Sequence, residues 1–308
     1  MLKGLALTPP AIGRIAIGKV VEKNGKRLPE KDDEFTITSQ VQLKDGWVLH
    51  PVDEVLRKDS SAKLRSIPVR LLFGDPDLSL RAKYTLFERT TGRPLCVGDG
   101  ESCRRVTSSG MKSLPCPAPH ACSLAVAGAC KPYGRLHVRI DAGDGTGNEV
   151  GGDGRGSFGF GTPGLNSIRT LLARLHYFNA ISGGLLETFP LELRLRGKST
   201  AMSHRAPIYY VDLTTRTGST LVQTIAQAKE LHEARLVAGM DQAALDEAAR
   251  LGLARGDFEE TEEEGAAVVD EFYQVDGQGQ DSGGKPELLE KLRQKSGRNP
   301  LPISETAG

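Results

Sequence analysis

The sequence predicts an α+β domain, with a mixed or antiparallel sheet, two main helices, a cysteine-rich insertion and a disordered acidic C-terminal tail. Three observations predict it. Segments of alternating apolar and polar residues, rich in β-branched side chains, recur through the first ninety positions and again after position 135. Two stretches, opening near Asn166 and Ser219, carry apolar residues at helical spacing. The charge balance then reverses: residues 1–240 hold 33 Lys+Arg against 23 Asp+Glu, a net of +10, and residues 241–308 hold 7 against 16, a net of −9. With 308 residues, 38% of them hydrophobic, the chain can bury a sizeable core over 1–240, with an insertion at 96–131 and a tail at 241–308 containing short helices.

In chain order, IGRIAIGKVVE, DEFTITSQVQ, IPVRLLF (Ile67 to Phe73) and RAKYTLFER read as strands joined by polar turns. The cysteine window follows, and GRLHVRIDAG resumes strand character at Leu136 to Ile140, so the window is an insertion between two strands. Nine glycines between Gly143 and Gly161 predict a flexible loop; no GxGxxG opens a helix there. Asp141, Asp144, Asn148 and Asp153 invite a calcium reading, which fails for want of the EF-hand ligand pattern. Asn166 reads as the N-cap of SIRTLLARLHYFNAIS, where Ile168, Leu171, Leu172 and Leu175 share a face and Gly183-Gly184 close the helix. Two further strands, FPLELRLRGK and APIYYVDL, precede a second helix, STLVQTIAQAKELHEARLVAG, ending at Gly239. DQAALDEAARLGLA continues helical. DFEETEEEGAAVVDE then carries eight acids and no base; it is a solvated tail, or else it mimics a polyanion or docks a partner through Phe258, Phe272 and Tyr273.

The motifs narrow the function classes. Pro9, Pro10 and Arg14 interrupt any secretory core, and no apolar run reaches the ~18 residues of a membrane span, so the expected location is the cytoplasm, with no membrane partner. RGKST at 196–200 is not a phosphate loop, because Glu192 stands where its first glycine belongs. His232-Glu233 does not continue to a zincin motif, since Leu236 replaces the second histidine. GxSxG is absent, and His50, His120, His137, His176, His204 and His232 are scattered. No nucleophile or general base stands out, and the chain reads as non-enzymatic.

All five cysteines fall in one window, spaced Cys96-x6-Cys103-x12-Cys116-x5-Cys122-x7-Cys130. In a reducing compartment such clustering points to metal before disulfides. Zinc takes four tetrahedral thiolate or imidazole ligands in a closed structural site, here a zinc knuckle. Cys116, Cys122 and Cys130 form the tight group. Cys96, fixed at a strand end, is the preferred fourth ligand over His120 or Cys103. Cys103, in a stretch that reads as mobile, becomes the spare thiol. An iron–sulfur cluster and a redox pair are the other readings of the window, and sequence does not separate zinc from iron. Arg104, Arg105, Lys131 and Arg135 flank the site, and Arg194, Arg196 and Lys198 alternate along one strand face; these seven are the candidate contacts for nucleic acid or a protein partner.

The order PLCVGDG, CRR, PCPAPHAC, ACKPYGRL, then LNSIRTLLARL and FPLELRLRGK, resembles the phage recombination directionality factor-like family. The resemblance spans residues 1–240, is strongest from Arg81 to Lys198, and leaves the acidic tail outside. It implies that the cysteines at 96, 116, 122 and 130 are the recurrent set and that Cys103 is variable. It also implies a factor from a phage or mobile element that binds a serine integrase, or another recombination or replication protein, on DNA and redirects it from integration to excision without catalytic residues of its own. Relatives often carry the label "hydrolase or metal-binding protein". A metal-dependent hydrolase built from His137, Asp141, Asp144 or His204 is therefore one alternative. A single-stranded DNA-binding or annealing helper using Tyr133, Phe158 and Phe160 as platforms is another.

Overall fold

A computed structural model of the chain describes residues 11–23, 26–43, 46–57, 59, 62–141, 156–199, 207–253, 268–269 and 272–273. The described residues form an α+β structure with one 12-stranded mixed sheet that forks at a central strand, β9 (Cys130–Ile140). On one edge, β9 pairs with β10 (Ser157–Thr162), which continues through β1 (Ala11–Lys23), β2 (Lys26–Leu43) and β3 (Gly46–Leu49). On the other edge, its first half pairs with β5 (Leu80–Phe87) and its second half with β4 (Ser66–Leu71). The β5 branch continues through β6 (Pro94–Gly98), β7 (Ser102–Thr107) and β8 (Gly110–Pro115); the β4 branch through β11 (Leu191–Lys198) and β12 (Ile208–Thr215). Only the β1–β10 pair is parallel.

Alternation explains which face is buried. Ile67, Val69 and Leu71 of β4, Leu136 and Val138 of β9, and Leu191 and Leu193 of β11 all point into one core. Leu171, Leu175 and Phe178 of α4 (Leu165–Ser182) belong to it as well, and Ile168 of the same helix is buried. Full burial of each such side chain contributes about 1.5–3 kcal/mol. The α4 helix starts one residue before the expected cap: Gly164 occupies the cap position, and Asn166 instead accepts a hydrogen bond from Lys198 Nζ at 2.7 Å. Gly183 ends it with φ of +72°, the left-handed turn that favours glycine. The second long helix, α5 (Leu221–Val237), opens with a capping box in which Thr220 and Gln223 exchange hydrogen bonds.

Two expectations change. The glycine-rich stretch is not all flexible loop: Ser157–Thr162 is an interior strand, because SFGF alternates and places Phe158 and Phe160 in the core. Residues 142–155 lie outside the described set. The compact unit also does not stop near residue 240 but runs to Gln274. Helix α6 (Gln242–Leu253) brings Ala249 against Leu72, Phe73 and Leu78, and its Asp246 carboxylate accepts from Gly74 N at 3.0 Å. Farther along, Val268 and Phe272 are buried against Phe87 and Tyr133. The expected disorder of the tail concerns residues outside the described set.

The short helix α1 (Pro51–Arg57) carries a buried ionic network. Asp53, 1% exposed, accepts from Ile37 N at 2.8 Å and from Arg57 Nε at 2.5 Å, and Arg57 also reaches Glu34 at 2.5 Å. Arg57 is thereby held more firmly charged than usual, through the Asp53 hydrogen bond first and Glu34 after it, against the cost of burial. The network ties α1 to β2.

Candidate metal centre

The cysteine window is two β-hairpins followed by short turns. Asp99 makes the first turn: its carboxylate accepts from Glu101 N and Ser102 N at 2.8 Å, and these bonds hold its pKa at about 2. The second turn closes at Gly110. Beyond β8, Cys116 N donates to Glu101 O at 2.8 Å, which pins the chain before α3 (Ala118–Ala121). Cys122 caps α3, and a 3-10 turn at Val126–Gly128 delivers the chain to Cys130, the first residue of β9.

Strand register then decides where the thiols point. Leu86 of β5 lies opposite Cys96 on one side and opposite Cys130 on the other. Cys96 is paired in turn with Arg105, and Gly98 with Cys103. Cross-strand partners share a face, so Cys96, Cys103, Arg105 and Cys130 project from the same side of the sheet. A Cβ at Gly98 would stand 3.0 Å from Cys116 Sγ and 2.7 Å from Cys103 Cβ, so the missing side chain is what lets Cys116 approach. Cys122 acts electrostatically on both Cys130 and Arg105. Cys96, Cys103, Cys116 and Cys130 therefore gather on one face.

The donor set suits a soft, positively charged ion. Burial pushes the Cys130 thiol up to about 11, with the charges of Cys96, Cys122, Cys116 and Cys103 adding to it. Cys103 rises to about 11 for the same first reason, with a contribution from Cys96 and an opposing one from Arg105. Crowded thiols that resist ionisation together are a donor set whose thiolates a bound cation would stabilise. Arg105 supplies one positive charge already: its Nη2 is 3.9 Å from Cys103 Sγ, while its buried Nε has no partner. Among the described residues, however, no group of three or more His, Cys, Asp or Glu side chains is arranged to hold a metal ion as it stands. The fit lies in residue type and shared face.

The expected roles separate on this framework. Cys103 is not in a mobile stretch; it lies on β7, is 3% exposed, and its Sγ donates to Pro115 O at 3.7 Å, a bond that requires the neutral thiol. His120 is exposed on α3. Arg105 faces the thiols, whereas Arg104, Lys131 and Arg135 project from the opposite face through the rows Lys131–Thr85–Val97–Arg104 and Arg135–Arg81. On the β4 branch, Arg194 pairs with Glu192 at 2.5 Å and Arg196 with Asp212 at 2.7 Å, so those two cations neutralise carboxylates of their own sheet. Lys198 reaches Asn166, as noted.

The residues of the hydrolase reading do not come together among the described ones. His137 is half-buried with its Nδ1 shielded from solvent, and burial, then Arg81 and Arg135, lowers its pKa to about 3. Asp141 is held by Arg70 at 3.0 Å and Arg216 at 2.5 Å; burial raises its pKa, but those arginines outweigh it and the net shift is downward. Asp144, Asn148, Asp153 and His204 lie outside the described residues. Of the proposed stacking platforms, Phe158 and Phe160 are core residues, and Tyr133 lies beneath Phe272. Sequence reading singled out Phe272 and Tyr273 for docking a partner; their contact with the chain's own sheet needed the tertiary structure.

A family model described as Gp3-like, recombination directionality factor-like, matches residues 12–216, two thirds of the chain. The chain belongs to the recombination directionality factor-like family. The matched span takes in every strand of the forked sheet and the whole cysteine window, and ends just before α5. No curated protein and no solved structure matches this recombination directionality factor-like protein. No helix among the described residues is long and apolar enough to cross a membrane.

Proposed function

We propose that this protein is a non-enzymatic accessory factor of phage or mobile-element recombination, which binds a serine integrase and turns it toward excision. The observation that carries this reading is the family match over residues 12–216. The second part of the proposal is one structural zinc on Cys96, Cys116, Cys122 and Cys130, with Cys103 as the uncoordinated thiol and Arg105 as the compensating charge beside it. The gathering of Cys96, Cys116, Cys130 and Arg105 on one sheet face supports it.

When bound, zinc would supply folding energy to a segment poor in apolar residues. The chain's own residues do the rest. Asp99 fixes the first hairpin, the Glu101 carbonyl fixes Cys116, and Gly98 leaves room for its sulfur. A closed four-thiolate site leaves no position for substrate, which fits a structural role.

The test of the integrase reading is a reconstituted recombination reaction with the full chain and the large serine integrase of the same genetic element. The expected result is co-elution of the two proteins and a switch of product from integration to excision. Two proteins that elute apart, with products unchanged at saturating factor, would overturn it.

A further inference from the structure

The face of the sheet opposite the cysteines is built from strands without a single carboxylate. β5, β6, β7, β8 and β9 contain eight Lys or Arg residues and no Asp or Glu, and six of the eight, all but Arg105 and Lys112, project from this face. Register places Arg81 opposite Arg135, Lys83 opposite Tyr133 and Thr85 opposite Lys131, all on that face. Arg81, Lys83, Thr85, Val97, Tyr133 and Arg135 line a shallow recess there. Tyr133 is its aromatic floor, with the Arg135 guanidinium 5.1 Å from its ring centre and Phe87 packed edge-on at 5.4 Å. Lone cations on a surface carry little information. Cations arrayed around an aromatic ring, with no anion among their strands, form the combination that takes up single-stranded nucleic acid, where phosphates meet the charges and an unpaired base meets the ring.

The chain places an imitation of that ligand on the same face. Phe272, fully buried, packs edge-on against Phe87 at 4.8 Å and Tyr133 at 5.9 Å, and Lys131 Nζ stands 4.9 Å from its ring centre. Tyr273 Oη donates to Phe87 O at 2.6 Å, and the Arg89 guanidinium lies 4.6 Å from the Tyr273 ring. In sequence, Asp270 and Glu271 immediately precede Phe272, and six acids fall between Asp257 and Glu264. An aromatic ring flanked by anions is the chemistry of a base flanked by phosphates. Arg81, Lys83, Lys131, Tyr133 and Arg135 are all engaged by other groups of the chain.

We propose that the β5–β9 face is a single-stranded nucleic-acid site, and that the Phe272–Tyr273 anchor occupies it in cis as a competitor. The inference stands apart from the integrase reading and from the zinc proposal. Duplex DNA fits less well, because its bases are paired and cannot reach Tyr133.

Fluorescence anisotropy of the full chain with a labelled oligo(dT) of about 20 nucleotides tests it. Phe272→Ala/Tyr273→Ala should bind about tenfold more tightly than the parent chain, the gain expected when an intramolecular competitor leaves a stacking site. Adding Lys83→Glu and Arg135→Glu to that variant should remove the gain and flatten the dependence of affinity on salt. A duplex of the same length should bind at least about fivefold more weakly than the single strand. Should loss of Phe272 abolish cooperative melting, Tyr273→Phe is the gentler release, expected to tighten binding about two- to threefold by removing only the bond to the Phe87 carbonyl. Unchanged affinity on release, indifference to the two charge reversals, or equal competition by duplex DNA or polyglutamate would each overturn the proposal.

Discussion

Gly98 is the residue on which the cysteine face turns. Its neighbours at 2.7 Å are the Cys103 Cβ and the Ser102 carbonyl, both fixed in a hairpin, so an added methyl has nowhere to go. Gly98→Ala should cost about 1–3 kcal/mol of stability and lower the metal content, read by thermal melting and elemental analysis; a variant that melts and binds metal as the parent does would contradict the packing. The cysteines themselves divide by what their sulfurs do. Cys116→Ser should release zinc and loosen residues 96–131, whereas Cys103→Ser should keep the metal, because the Cys103 thiol is engaged with the Pro115 carbonyl. One zinc per parent chain with a single reactive thiol, counted by plasma mass spectrometry and thiol titration, is the expected baseline. Equal zinc loss from both substitutions would reject the ligand assignment.

Among the elements, α1 is held by charge at a buried position. Arg57 pairs with both Asp53 and Glu34, which are 1% and 3% exposed. Arg57→Ala would leave the Asp53 carboxylate buried without this cation, and breaking such an arrangement costs about 3–5 kcal/mol; denaturant unfolding should show the loss, and a change below about 1 kcal/mol would mean that water reaches the site freely. Helices were the most legible elements in the sequence, since Ile168, Leu171 and Leu175 mark α4 and the stretch from Ser219 to Gly239 contains α5. Strands with clean alternation, such as Ser66–Leu71, were legible for the same reason. β10 was not, because glycine at every second position hides a strand whose phenylalanines fill the core. The hairpins β6 to β8 were hidden by their polar, thiol-rich composition, although their cysteines marked the place.

At the scale of the whole molecule, the forked sheet gives the protein two chemically distinct faces at the same end of β9. One collects the thiols of Cys96, Cys103, Cys116 and Cys130 with Arg105; the other collects cations around Tyr133 and receives the chain's own Phe272. By itself the sequence determined the α+β class, the two long helices, the window in which every cysteine lies and the family resemblance, because each of these rests on local spacing or on residue identity. The charge reversal after residue 240 was equally plain from the sequence. Only the tertiary structure decided that Arg104 and Arg105 part to opposite faces, that Arg194 and Arg196 bind carboxylates of their own sheet, and that the acidic segment's aromatic pair returns to the basic face. The physical reason is that a side chain's face follows from strand register, and register is fixed by pairings between residues far apart in the chain, such as Leu86 with both Cys96 and Cys130.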